Sequence, residues 1–280
     1  MSPLTARRWF HSAISILLVC LGTVVYRVGL ASFSQTRFYE VSGWVLFGLL
    51  LALGLLTLRK KLPFLPLFTA ASWLQFHLYA GVLSVALFLG HIKMAVPNGT
   101  LEIGLAVLFL LVVGSGLVGW GLSRIIPKRL TTHGSQVIYE RIPEFRKRLR
   151  ERAAFVVEQA VADTGTATIA DFYAKRLIAY FAGPQNFWPH LFQSNRPHYR
   201  LANELASMDR YLNDVERQRV GELTQLIQFK DDLDYQYAHQ TVLKYWLFVH
   251  IPLTYSLLMV ALIHGILMAA YYTAFRGGAG

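Results

Sequence analysis

Long apolar stretches, separated by short polar turns and one charged block, organise this chain. They run from Phe10 to Leu30, Val41 to Leu58, Pro66 to Lys93, Leu101 to Leu122 and Leu243 to Ala274. A helix needs roughly 17–25 mostly apolar residues to cross the hydrocarbon core of a bilayer, so each stretch predicts a transmembrane helix. The joints between them are short. Pro63 and Pro66 follow the basic cluster Arg59, Lys60 and Lys61, and Pro97, Asn98 and Gly99 make a turn before the fourth stretch.

The block from Arg124 to Thr241 is different in kind. Pro143 suits the first turn of a helix running through EFRKRLRERAAFVVEQAV. Gly183, Pro184, Pro189 and Pro197 punctuate an aromatic loop, GPQNFWPHLFQSNRPHY. From about Ala202 the pattern is helical again and is expected to continue through KDDLDYQYAHQTVLKYW into the last apolar stretch. The chain therefore reads as an all-α integral membrane protein. A signal-anchor helix occupies 1–40, the first part of a helical bundle 41–122, a soluble helical insertion 123–242, and the last bundle helix with its tail 243–280.

Charge sets the expected frame. The 27 Lys and Arg residues outnumber 16 Asp and Glu, for a formal charge of +11, and the basic residues flank apolar stretches. That placement speaks for membrane topology and acidic partners rather than for nucleic acid. Arg7 and Arg8 precede the first span, and Arg59, Lys60 and Lys61 follow the second. By the positive-inside rule both clusters are cytoplasmic, which puts the N-terminus and the block inside and the C-terminus outside. A bacterial inner membrane suits this layout. The basic run Arg146–Arg152 offers a surface for an acidic partner, with anionic lipid headgroups as the alternative.

Two of the apolar stretches carry chemistry. His91 lies fourteen positions after His77, and His264 lies fourteen positions after His250. On a helix that spacing is about 40° short of four turns, with a rise of about 21 Å, so each pair shares one face at two depths. An imidazole within a bilayer is costly and is functional by default. With five spans the two histidine helices run in the same direction, which pairs His77 with His250 and His91 with His264. Two such pairs are what a bundle needs to clamp two b-type haems axially. The only cysteine is Cys20. Thiolate-built iron–sulfur or zinc sites and c-type haem attachment are therefore not expected within this chain.

The third stretch, with Trp73-Leu74 ahead of His77 and His91-Ile92-Lys93, resembles the second helix of cytochrome b in quinol:cytochrome c oxidoreductases. The fifth, with Pro252 two residues after His250, resembles that family's fourth helix. The placement of matched pairs on the third and fifth spans is also similar to the ferric reductase and NADPH oxidase families. The resemblance covers about 41–122 and 243–274 and implies a four-helix di-haem core with His77, His91, His250 and His264 as ligands. The Pro-Glu-Trp-Tyr quinol motif is missing, as are the flavin and nicotinamide domains of the oxidases. Gly43, Gly48, Gly54, Gly114, Gly116, Gly119 and Gly121 supply small residues, but no two of them repeat at fourteen.

Other residues carry weaker readings. Lys93 either pairs with a haem propionate or is an interfacial lysine. Ser84 sits midway between His77 and His91 as a packing position. His239 extends the histidine face and reads as a solvated histidine on a charged helix, with a quinone site, proton path or further cofactor as alternatives. Asp231, Asp232 and Asp234 read as a solvated face or docking surface. His190 and His198 lack ligand spacing, and Tyr271 and Tyr272 suit an interfacial belt. The expected function is a membrane electron-transfer subunit of a larger redox complex, with quinone or an iron–sulfur, flavin or c-type cytochrome subunit as partner. A self-contained quinol dehydrogenase or ferric-type reductase is one alternative, and a non-redox transporter or assembly factor is another.

Overall fold

The computed structural model describes residues 22, 35–61, 70–131, 137–194, 196–208, 210 and 212–277. The first predicted span, Phe10–Leu30, lies outside the described residues apart from Gly22, as do Cys20 and the loop with Pro63 and Pro66. Among the described residues every regular element is helical. We number the α-helices α1 (Gln35–Lys61), α2 (Ala70–His91), α3 (Thr100–Leu130), α4 (Ile142–Thr164), α5 (Thr168–Phe172), α6 (Ile178–Ala182), α7 (Phe187–Leu191), α8 (Arg196–Met208) and α9 (Asp214–Gly277). The chain divides into two compact units, Met1–Trp120 with Leu247–Gly280, and Gly121–Trp246.

Three helices are long and apolar enough to cross a membrane: Ser72–His91 within α2, all of α3, and Asp214–Ala274 within α9. In α1 the apolar run Val41–Leu55 is shorter. In the first unit α1 and α2 pack antiparallel, since Ser42 near the start of α1 meets His91 at the end of α2. Lys93 and Met94 then take left-handed φ angles of 54° and 58° in the turn to α3. The Met94 amide donates to the Leu89 carbonyl across that turn. One apolar core draws on α1 (Leu46, Leu50, Leu53), α2 (Ala80, Phe88), α3 (Phe109) and α9 (Leu257, Leu258). Phe88 and Phe109 stack at 4.2 Å within it. The outward faces are also apolar, with Leu110, Leu117, Val118, Leu262 and Ile263 exposed. A helix apolar all round is what lipid contact requires.

The second unit has its own core, in which Val156 and Ala160 of α4 pack with Phe181, Leu205, Leu223 and Ile227. Pro143 enters in the first turn of α4, and Gly165 closes that helix with a left-handed φ of 68°. The predicted continuous helix from Ala202 is broken. α8 ends at Met208, and α9 starts afresh because Asn213 and Glu216 exchange side-chain to backbone hydrogen bonds of 2.8 and 2.9 Å, a reciprocal cap. Replacing Asn213 with alanine is expected to cost about 1 kcal/mol, read as a lower thermal midpoint of the folded chain.

Several surface expectations are corrected here. Asp234 and His239 are not solvated: both are fully buried. Asp234 pairs with the equally buried Lys230 one turn earlier. Arg146 is not a free docking charge either; its side chain is 12 % exposed and lies 3.5 Å from Asp234. Lys147, Arg148 and Arg152 face Glu151, Glu144 and Glu222. The basic run is thus largely compensated within the unit. At the surface, Lys244 donates to Glu140 at 2.7 Å, and this contact holds the Glu140 carboxyl below the usual carboxylate range.

Candidate functional site

The histidines named from spacing meet as follows. His77 of α2 and His250 of α9 face each other with ring centroids 6.3 Å apart and planes at 76°. His77 Nδ1 is buried and has no hydrogen-bond partner. His91 and His264 line one cavity of about 420 Å³, together with Gly43, Trp44, Phe88, Phe109 and Tyr272. That volume lies within the range of small-molecule sites, roughly 300–1,000 Å³.

Each pair has one histidine held by a serine from a neighbouring helix. The Ser115 hydroxyl of α3 lies 2.7 Å from His250 Nδ1 and 2.9 Å from the Val112 carbonyl. A hydroxyl has one proton. If Ser115 gives it to Val112, it must accept from His250 Nδ1–H, and the imidazole lone pair then resides on Nε2. That tautomer is the metal-binding form, and a fixed Nδ1 partner is the usual way a protein orients a ligating imidazole. In the second pair, Ser42 of α1 lies 2.9 Å from His91 Nδ1.

A glycine follows each serine. A Cβ on Gly43 would come within 3.1 Å of His91 Cε1, and one on Gly116 within 3.8 Å of His250 Cε1. The serine contact is thus made twice, at His91 and His250, but only at Gly43 does the ring come close enough to need a missing side chain; a Cβ on Gly116 would make ordinary van der Waals contact. Histidine spacing gave no hint of these serines. The repeated Ser-Gly dipeptide inside two apolar runs was the available signal.

The other named residues fall elsewhere. Ser84 is buried and bonds the Gly81 carbonyl at 2.7 Å, which makes it a satisfied packing position. Lys93 is exposed in the turn after α2 and is not among the residues lining the cavity. Glu102, in the first turn of α3, does line it. In the other unit, His239 Nδ1 donates to the Tyr235 carbonyl at 2.9 Å, and its Nε2 lies 3.5 Å from Arg129 Nη1. His190 Nε2 lies 3.5 Å from Asp231 Oδ1.

Among the described residues, no group of three or more His, Cys, Asp and Glu side chains is placed to hold a metal ion. The histidines are brought together two at a time. Two imidazoles suit a metal whose remaining positions are filled by a macrocycle, as in haem. A metal–imidazole bond is about 2 Å and a ring centre lies about 1 Å behind its nitrogen, so two axial rings on one iron stand about 6 Å apart. The His77–His250 separation fits that requirement. Comparison with protein-family models, with curated proteins and with solved structures finds no match for this chain.

Proposed function

We propose that this chain is a membrane electron-transfer subunit that holds two b-type haems, one between His77 and His250 and one between His91 and His264. In this reading five spans cross the bilayer, four of them around the haems, with the N-terminus and the charged block on the cytoplasmic side. The observation that carries the proposal is the 6.3 Å opposition of the His77 and His250 rings from two facing helices. The serine hydroxyls beside His91 and His250 Nδ1 strengthen it.

When bound, such a group supplies reversible one-electron exchange. The protein's part is positional. Ser115 fixes the His250 tautomer, and Ser42 orients His91. Gly43 keeps a side chain off the His91 ring. Leu46, Leu50, Phe88 and Phe109 keep water out, which lowers the reorganisation that accompanies a change of charge. The fourteen-residue spacing sets the two levels about 21 Å apart along the helix axis. Exchange with quinone or with a redox subunit at either face completes the proposed role within a larger complex.

The test is the pyridine haemochrome spectrum of the purified chain, which should report two b haems per polypeptide. A folded preparation, expressed with haem available, that shows no such bands would end the proposal. Ser115→Ala should weaken haem retention about 10- to 100-fold while leaving the helix content unchanged, because a ligating imidazole without its orienting partner loses affinity on that scale. Unchanged retention would remove Ser115 from the site.

A further inference from the structure

The second unit displays an aromatic knuckle that it holds with unusual care. Trp188 and Phe192, on and just after α7, are 62 % and 75 % exposed, and their rings lie nearly parallel with centroids 6.2 Å apart. Left-handed residues stand at both ends, Asn186 at φ 56° and Gln193 at φ 57°. Inside the knuckle, the Phe192 amide donates to the Trp188 carbonyl and the Ser194 amide to the Pro189 carbonyl.

The buried charges described above are its foundation. Lys230 donates to the Gly183 carbonyl at 2.9 Å, and Asp234 accepts from the Gln185 amide at 3.0 Å. His190, on the inner side of the knuckle, lies 3.5 Å from Asp231 and packs edge-on against Tyr235. A buried ion pair is a weak source of stability, so its retention here calls for another reason. Positioning this loop is one. Two large aromatic side chains are thereby presented outward, although burial would have been favourable.

Two observations say what covers them. Arg129 Nη1 of α3 donates to the Leu191 carbonyl at 2.9 Å, so the knuckle is tied to the end of a helix long and apolar enough to cross a membrane. The uncharged run of α3 extends from Ile103 to Ser123, bracketed by Glu102 and Arg124. At 1.5 Å per residue that run spans about 30 Å, the thickness of the hydrocarbon core. Arg129 lies five residues past Arg124, about 8 Å along the helix, within the headgroup layer. Arg124 and Lys128 are exposed on the same segment and provide charge complementary to lipid phosphates. Tryptophan beside positive charge at that depth is the composition of an interfacial anchor.

We infer that Trp188 and Phe192 insert into the headgroup region of the bilayer that α3 crosses, and that the Lys230–Asp234 pair holds the loop in place for this contact. The inference needs α3 to span the membrane and does not depend on the histidine pairs.

The experiment uses the full chain in phosphatidylcholine–phosphatidylglycerol vesicles containing lipid brominated near the headgroup end of its acyl chains. The chain has six tryptophans, so the Trp188 signal is the emission lost on going from wild type to Trp188→Phe. That component should fall about twofold or more in brominated vesicles and resist aqueous iodide, as expected of an indole seated at the interface. Adding Phe192→Trp to Trp188→Phe should restore a bromine-quenched component, which gives a second reading should Trp188 itself emit weakly. A component quenched by iodide and untouched by bromine would place the knuckle in water and overturn the inference. A component reached by neither quencher would place it against protein and overturn it equally.

Discussion

Folded protein carrying both His77→Ala and His250→Ala is expected to retain one haem of two. The two rings are 6.3 Å apart, whereas His91 and His264 line a separate cavity fourteen residues along each helix. Removing both imidazoles at one level leaves the other level intact. Haemochrome quantitation should therefore fall from two equivalents to about one, with helix content preserved. A complementary loss should follow from Gly43→Val, at the other level, since any Cβ there meets the His91 ring at 3.1 Å and a branched side chain must displace it. If the double histidine variant kept two haems, the assignment of His77 and His250 would be wrong. If Gly43→Val and the double variant removed the same spectral component, the pairing of levels would be wrong.

The second large effect concerns stability of the charged unit. Asp234→Asn should cost about 3–5 kcal/mol, because it strands the buried ammonium of Lys230 and the half-satisfied guanidinium of Arg146. Introduced into a Lys230→Met background, the same change should cost clearly less, since the fully buried charge has already gone. Denaturant midpoints of the four proteins of this cycle measure the coupling. Equal costs in the two backgrounds would show that Asp234 acts through its other contacts, the Gln185 amide and Arg146, and not through Lys230.

The particular residues show where the sequence was readable. Histidine spacing is a property of one helix, so His77 with His91 and His250 with His264 could be placed on common faces from the 3.6-residue period alone. The apolar character of α2, α3 and the later part of α9 was equally local, because a helix surrounded by lipid needs no partner to dictate its composition. Pro143 marked the start of α4 for a similar reason: a missing amide proton is tolerated only in the first turn.

The charged stretch KDDLDYQYAH misled because its composition is that of a solvated helix. Nothing local announces that Lys230 reaches the Gly183 carbonyl or that Arg146 approaches Asp234 from α4. The break before α9 has a different cause. It depends on Asn213 and Glu216 acting together as a cap, which leaves the helical pattern on either side unchanged.

By itself, then, the sequence determined the helical, membrane-directed character of the chain and the faces on which its histidines lie. Both follow from interactions between near neighbours along the chain and between side chain and solvent. Only the tertiary structure decided which serine orients which histidine, that Asp234 and His239 are buried, and that Trp188 and Phe192 face outward. Ser42 and His91 are 49 positions apart, and Ser115 and His250 are 135. Contacts of that range are set by how helices dock, and docking reflects the summed packing of many side chains, not the identity of any one of them.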